Sequence, residues 1–187
     1  MQVHLNEIDP DGKQVVRALT AAWLAELLQG GEPYPYRARG GAEATVRLRR
    51  ADLEVVVEAD FGLELEADCS ACLKEFVLQV PVSFHLCLQP AAARPRELPT
   101  QLELTGADVD ADFYEDDFIQ VDDILREQIL LALPMVPRCA EDCRGLCPVC
   151  GADLNLASCQ CSVGELDPRW SALASLKAQS PKGDDRP

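Results

Sequence analysis

Between residues 43 and 88, apolar and polar side chains alternate along the chain. A period of two predicts β-strands with one face turned inward, and the close spacing of the runs indicates consecutive antiparallel hairpins. We therefore predict an antiparallel β-meander or a small open barrel. The expected inward residues are Ala44, Val46, Leu48, Leu53, Val55, Val57, Phe61, Leu63, Leu65, Ala67, Phe76, Leu78, Val80, Val82, Phe84, Leu86 and Leu88.

Helical patterns lie on both sides of these strands. Residues 20–29 and 122–133 carry apolar side chains at helical spacing, and Thr20 can cap the first of these helices. A last short helix is predicted to open at residues 167–169, where Asp and Pro suit a helix start. Together with the strands, these patterns predict the α+β class.

The charge of the chain limits its partners. Its 187 residues include 17 basic and 32 acidic side chains, which gives a net charge of −15. Phosphate backbones attract Lys and Arg, so this charge disfavours a nonspecific grip on nucleic acid and favours a basic partner. No run of about 18 apolar residues and no secretory pattern occurs, so we expect a cytoplasmic protein without a membrane partner. Cysteines remain reduced in that compartment.

An acidic segment follows the strands and is predicted to form an exposed loop over residues 105–120. Carboxylates and aromatic side chains are interleaved there, and like charges so close together repel one another. The segment is either a solvated loop or a docking strip for a basic partner with aromatic anchors. The residues of this predicted strip are Asp112, Phe113, Tyr114, Glu115, Asp116 and Asp117.

Six of the nine cysteines fall near the C-terminus in the spacing C-x3-C-x3-C-x2-C-x8-C-x-C. The central CPxCG is typical of a zinc knuckle, whose sulfurs meet on one tight turn. We expect one structural zinc ion, with Cys147 and Cys150 among its ligands. The spacing leaves open which others complete the tetrahedron, and a two-zinc site with shared sulfurs is an alternative. The candidate ligands are Cys139, Cys143, Cys147, Cys150, Cys159 and Cys161.

A second thiol pair, Cys69 and Cys72, lies between two predicted strands. It can be a redox pair, a metal knuckle, two buried thiols, or part of a composite site with the C-terminal cysteines. A thioredoxin-type motif would open a helix, whereas antiparallel strands are predicted on both sides here. The chain has no P-loop, GxGxxG, HExxH or GxSxG pattern, so we expect no enzyme activity and no small-molecule substrate.

These patterns divide the chain into three parts. Residues 1–134 are predicted to form an α+β core domain that carries the acidic loop. Residues 135–179 are predicted to form a cysteine-rich zinc module and a C-terminal helix, and residues 180–187 a disordered tail. The predicted architecture is therefore a meander or open barrel with flanking helices and a C-terminal zinc-binding segment.

Four features in this order resemble the YceD family of large ribosomal RNA subunit accumulation proteins. They are the Cys69-x-x-Cys72-Leu73 connection, the acidic stretch, the 122–133 helix running into Pro134 and Pro137, and a C-terminal motif. That motif is GLCPxCGxDLN over residues 145–155, followed by DPRxxxL over residues 167–173. The resemblance covers about residues 15–178. Some members lack the CPxCG cluster but keep the first CxxC, which implies that zinc here staples the C-terminal segment to the core.

The resemblance implies a process rather than a mechanism. We expect a non-catalytic ribosome-biogenesis factor that supports accumulation of 23S rRNA through contacts with a basic ribosomal protein or assembly factor, or with a pre-50S particle. One alternative is direct rRNA binding through the zinc module and the basic stretch at residues 37–50. The other is thiol redox chemistry or metal handling by Cys69 and Cys72.

Overall fold

A computed structural model of the chain describes residues 1–29, 35–93 and 111–161. Within these ranges the chain forms strands and two α-helices, which is the predicted α+β class. The strands are β1 (Gln2–His4), β2 (Lys13–Leu19), β3 (Tyr36–Ala38), β4 (Ala42–Ala51), β5 (Glu54–Asp68), β6 (Glu75–Pro90), β7 (Ala111–Tyr114) and β8 (Phe118–Gln120). The helices are α1 (Ala21–Gln29) and α2 (Val121–Ala132).

The main sheet has the strand order β2-β4-β5-β6-β7, with β3 beside β5, and a second sheet pairs β1 with β8. Strands β4, β5 and β6 are consecutive antiparallel neighbours, as the alternation predicts. Strand β7 runs parallel to β6, so the sheet is mixed rather than purely antiparallel. The strand order ends at β2 on one side and β7 on the other, so the described strands form no closed barrel.

The longest feature of the sheet is the β5–β6 hairpin, whose register runs from Val55 opposite Leu88 to Asp68 opposite Glu75. Its alternation buries one face, as expected, and the other face carries charged side chains. Leu53 is the exception among the predicted inward residues, because it lies in the turn before β5 and is 61% exposed. Burial of the inward apolar face drives the hairpin onto the core.

The two helices cover the core side of the sheet. The Thr20 hydroxyl accepts a hydrogen bond from the amide of Trp23 at 3.2 Å, which confirms the predicted cap of α1. Helix α2 packs against β6 and β1, and it carries the Arg126 guanidinium 5.1 Å from the centre of the Trp23 ring. The buried residues of the helices are Leu24, Leu27, Leu28, Val121, Ile124, Leu125 and Ile129.

The sequence predicted a loop for the acidic segment. The described part of this segment instead contains β7 and β8. A tight turn joins them, in which Asp116 and Asp117 both have positive φ and the Phe118 amide donates to the Glu115 carbonyl at 3.0 Å. Two positive φ angles in succession are typical of a type I′ turn, whose twist suits hairpins. The sequence prediction relied on repulsion between the carboxylates and therefore missed both strands.

Three predicted features lie outside the described residues. They are the acidic residues at 105–110, the helix opening at 167–169 and the tail at 180–187. Among the helices that the structure describes, none has the length and apolar content to cross a bilayer.

Candidate metal centres

The chain gathers eight of its nine cysteines into two groups of four. The first group is Cys69, Cys72, Cys139 and Cys143, and the second is Cys147, Cys150, Cys159 and Cys161. Within each group all four Sγ atoms lie within 4.8 Å of one another. The ninth cysteine, Cys87, lies in β6 and belongs to neither group, and its thiol is 3.8 Å from the Glu54 carboxylate.

This arrangement separates the six C-terminal cysteines that the sequence treats as one pool. Cys139 and Cys143 meet Cys69 and Cys72 rather than the CPxCG knuckle. Of the alternatives for Cys69 and Cys72, the structure therefore matches the composite site with C-terminal cysteines.

The first group begins at the tip of the β5–β6 hairpin. The turn is closed by the Cys69 amide donating to the Lys74 carbonyl at 2.9 Å, and by the Leu73 amide donating to the Cys69 carbonyl at 2.8 Å. Leu73 has a positive φ of 61°, which lets the chain reverse within this short turn. The turn places the sulfurs of Cys69 and Cys72 on its buried side, where both residues are almost inaccessible to solvent.

The segment after α2 supplies the other half of the first group. The amide and the hydroxyl of Ser70 both donate to the Pro137 carbonyl, at 2.9 and 2.8 Å. These bonds fix the segment against the hairpin tip. As a result, the Sγ atoms of Cys69 and Cys143 are 3.8 Å apart, and those of Cys72 and Cys139 are 3.7 Å apart.

These sulfur distances fit a tetrahedral metal ion. Zn–S bonds of about 2.3 Å in a tetrahedron separate two sulfurs by about 3.8 Å. The observed distances are far longer than a disulfide bond of about 2.05 Å, and all nine cysteines are free thiols. Four thiolates suit zinc or a single iron, since soft sulfur ligands in a tetrahedron favour these metals. The donor set of the first group therefore fits zinc.

Ionisation of the first group is uneven without a cation. Burial disfavours the Cys69 thiolate, but backbone amides of Cys139, Cys72 and Ala71 donate to its sulfur and lower its pKa to about 6. Burial and then the thiol of Cys143 raise the pKa of Cys139 to about 12. Since neighbouring negative charges oppose one another, all four sulfurs ionise together only around a positive ion.

The second group is built on the knuckle at Cys147 and Cys150. The amides of Cys150 and Val149 point at the Cys147 sulfur and, with the nearby thiol of Cys159, lower its pKa to about 6. The Val149 amide is 3.4 Å from that sulfur. The Cys150 sulfur raises the pKa of Cys161 to about 12. Cys150 and Cys161 are exposed, whereas three members of the first group are buried.

A short joint connects the two groups. The Leu146 amide donates to the Ala71 carbonyl at 3.0 Å, which brings the start of the second group to the hairpin tip. Gly145 has a φ of +71°, and a Cβ there would lie 2.9 Å from the Ala71 oxygen. The side-chain amide of Asn155 lies 3.5 Å from the Cys143 sulfur as a donor. Spacing alone did not identify these joint residues, although Gly145 and Asn155 stand in the motif that carried the family resemblance.

An acidic groove of about 680 Å³ lies between the β7–β8 turn and α2. Of the predicted docking strip, Asp112, Phe113, Tyr114, Glu115 and Asp116 line it, and Asp117 does not. Sequence reasoning missed the carboxylates that α2 adds, because it could not bring the helix beside the strip. Those additional residues are Asp123 and Glu127.

Tyr114 is part of the core and not a free aromatic anchor. It is 6% exposed, and its hydroxyl donates to the Leu53 carbonyl at 2.9 Å. Burial raises its pKa, and the Asp117 carboxylate adds to the rise. Phe118, which also lines the groove, is 37% exposed and offers the more accessible ring.

The basic stretch at residues 37–50 is largely compensated by carboxylates on the sheet. Arg37 contacts Asp68 at 3.1 Å and Glu75 at 2.8 Å. Arg49 contacts Glu58 at 2.6 Å. These cross-strand pairs leave less positive potential for an RNA backbone than the sequence stretch suggests.

A family model described as "Large ribosomal RNA subunit accumulation protein YceD" matches residues 57–177 of the chain. The match spans both cysteine groups, the β7–β8 turn and α2. No curated protein and no solved structure matches the chain.

Proposed function

Since the chain belongs to the YceD family, described as large ribosomal RNA subunit accumulation proteins, we propose that it is a ribosome-biogenesis factor that supports 23S rRNA accumulation. It acts in the cytoplasm on the pre-50S particle, without catalysis, by holding a basic ribosomal protein or assembly factor. The family description names an accumulation factor and no catalytic activity.

The acidic groove is the observation that carries this proposal. The carboxylates of Asp112, Glu115 and Asp116 line it together with those of Asp123 and Glu127, and no described lining residue is basic. Such a cleft of one sign concentrates field lines and attracts a segment rich in Lys and Arg. The overall charge of −15 adds long-range attraction for the same partner.

The groove also offers apolar contact for such a segment. Phe113, Phe118 and Ile124 line it together with the carboxylates. An occupant with basic side chains around one or two apolar ones satisfies both features, because aromatic side chains in a partly desolvated groove commonly supply binding energy.

We propose zinc as the metal of the cysteine groups, in a structural role. Closed tetrathiolate sites have no open position for a substrate or for an activated water, which distinguishes structural zinc from catalytic zinc. The single ion expected from the six C-terminal cysteines does not account for Cys69 and Cys72, and the grouping of the thiols favours a larger number of ions.

The partner proposal is tested with matched charge variants. The groove variant is Asp112→Asn/Glu115→Gln/Glu127→Gln, and the control, Glu43→Gln/Asp60→Asn/Glu66→Gln, removes three charges from the sheet. We expect the groove variant to bind its basic partner about tenfold more weakly, since each charge pair contributes a fraction of 1 kcal/mol to about 1 kcal/mol. Affinity purification and co-sedimentation with pre-50S particles at graded salt measure the effect. Equal behaviour of the two variants would overturn the groove as the docking site.

A second variant separates charge from folding. Asp116→Asn/Asp117→Gly removes two carboxylates and places the preferred Asn-Gly pair in the type I′ turn. The turn therefore stays intact while the groove loses charge. If cells that carry only this variant accumulate as much 23S rRNA as wild type, charge at the turn has no part in the function.

A further inference from the structure

We propose that the chain binds two zinc ions at separate tetrathiolate sites, and that the first site clamps the tip of the β5–β6 hairpin to the segment after α2. The first site is the group Cys69, Cys72, Cys139 and Cys143, and the second is the group Cys147, Cys150, Cys159 and Cys161. This inference rests on zinc as the metal proposed above and is independent of the partner.

Each group is complete by itself. A structural zinc ion takes four ligands, and each group supplies four sulfurs that lie within 4.8 Å of one another. No sulfur therefore has to be shared, in contrast to the two-zinc alternative from the sequence. A multi-iron cluster is a poorer fit to the first group, because thiolates bound to different iron atoms lie farther apart than the 4.8 Å within which all four sulfurs fall.

The first site joins distant parts of the chain. Cys69 and Cys143 are separated by 74 residues, and Cys72 and Cys139 by 67. The apolar contribution at this junction is small, since Ala71, Phe76 and Leu146 are the only non-cysteine hydrophobic residues packed against the buried thiols among those described. The hydrogen bonds from Ser70 and Leu146 orient the two parts, and the metal supplies the strong link.

The second site has a different structural role. Its four cysteines lie within residues 147–161, and the Cys147 amide donates to the Ala152 carbonyl at 2.8 Å inside the same loop. An ion there orders its own loop. Among the described residues, the loop is joined to the hairpin tip through the Leu146 amide and to the first group through Asn155, whose side chain donates toward the Cys143 sulfur.

Metal content of the full chain tests the number and separation of the sites. We expect two zinc ions per chain in protein purified under reducing conditions, and one in each of Cys69→Ser/Cys72→Ser and Cys147→Ser/Cys150→Ser. Cys87→Ser removes the cysteine that belongs to neither group and should keep two. One zinc ion in the wild type, loss of both ions in either pair variant, or iron in place of zinc would overturn the proposal.

If a pair variant fails to fold, the number of sites can still be measured directly on the wild-type protein. Cadmium replaces zinc at thiolate sites, and cadmium-113 NMR reports the ligand set of each ion separately. Two signals in the tetrathiolate range support two separate sites. A single signal, or a signal typical of nitrogen or oxygen ligands, overturns them.

Hydrogen exchange tests the clamp. Cys139→Ser/Cys143→Ser changes no residue of the hairpin, yet we expect at least tenfold faster exchange of the Ser70 and Leu73 amides at its tip. Cys147→Ser/Cys150→Ser is the matched control and should leave these amides as in the wild type. Unchanged exchange in the first variant would show that the hairpin tip does not depend on the ion.

Discussion

The α+β core and the cysteine-rich segment at residues 137–161 are stabilised by different interactions. The core buries a continuous set of apolar side chains from both helices and the sheet, including Leu48, Leu65 and Leu125 with no exposed surface. In the segment the buried side chains are mainly thiols, while Val149 and Leu156 are 60% and 86% exposed. Core stability therefore comes from removing apolar surface from water, whereas we expect the segment to depend on metal bound by its thiols.

Metal removal should produce the largest difference between the core and the cysteine-rich segment. We expect a strong chelator under reducing conditions to unfold residues 137–161 while β5, β6 and α2 remain folded. Structural zinc contributes an apparent 10–16 kcal/mol in finger peptides, far more than the few exposed apolar residues of this segment can supply. Hydrogen exchange along the whole chain measures the result.

Restored zinc should return the protection of the segment, which serves as the control for damage by the chelator. Unchanged protection of residues 137–161 after metal loss, or unfolding of the whole chain, would contradict a division into an apolar core and a metal-dependent segment.

The core should respond instead to loss of buried apolar volume. Leu125 of α2 is fully buried, so Leu125→Ala should lower the free energy of unfolding by about 2–5 kcal/mol. Leu131→Ala in the same helix removes a side chain that is 71% exposed and should change it by less than about 0.5 kcal/mol. Urea unfolding measures both, and zinc content should not change in either variant. Equal effects of the two substitutions would argue against the assignment of the core face of α2.

A Cβ added to a glycine should disturb the joint between the two regions at one position and not at another. Gly145 and Gly151 both have positive φ, but only at Gly145 would a Cβ meet a neighbour, the Ala71 oxygen at 2.9 Å. Gly151→Ala should cost about 1 kcal/mol from backbone strain alone, and Gly145→Ala about 2 kcal/mol or more. Faster exchange of the Leu146 amide in Gly145→Ala alone is the expected signature. The same exchange in both variants would mean that strain, and not contact with Ala71, governs the joint.

Low pH should destabilise the core by protonating the Asp122 carboxylate. Burial raises the pKa of this carboxyl, but Arg17 and the N-terminal ammonium lower it more, and the Arg17 Nε lies 2.8 Å from Oδ1. A lowered folded pKa stabilises the fold above the unfolded pKa of about 4 and loses that contribution as pH falls through the folded value.

Asp122→Asn should therefore cost about 1 kcal/mol at neutral pH, and its difference from wild type should shrink as pH falls below about 4. Urea midpoints of the two proteins at graded pH measure this difference. The cysteines are the same in both, so the effect of acid on the thiols cancels. A difference that does not vary with pH would assign the effect to packing.

Local patterns predicted the parts of the molecule that depend on neighbours in sequence. The period of two identified the buried faces of β4, β5 and β6, and helical spacing with Thr20 identified α1. The prediction that Leu53 faces inward was wrong, because a turn interrupts the alternation just before β5. The CxxC spacing identified Cys147 and Cys150 as neighbours on a turn, since the backbone alone brings these sulfurs together.

Long-range pairings could not be predicted in this way. The spacing of the cysteines gives no sign that Cys139 and Cys143 lie beside Cys69 and Cys72, because the hairpin and α2 must fold before they meet. The parallel pairing of β7 with β6 and the burial of Tyr114 have the same origin. In each case the tertiary arrangement decides what a local pattern leaves open.

The long separation within the first cysteine group sets an order of events during synthesis. At about 5–20 residues per second, Cys69 leaves the ribosome roughly 4–15 s before Cys143, which lies 74 residues later. During that interval the hairpin tip carries two uncovered thiols. The second group emerges within one short stretch and can take up metal at once. If zinc binds the first group as proposed, it binds only after the core of the nascent chain has folded.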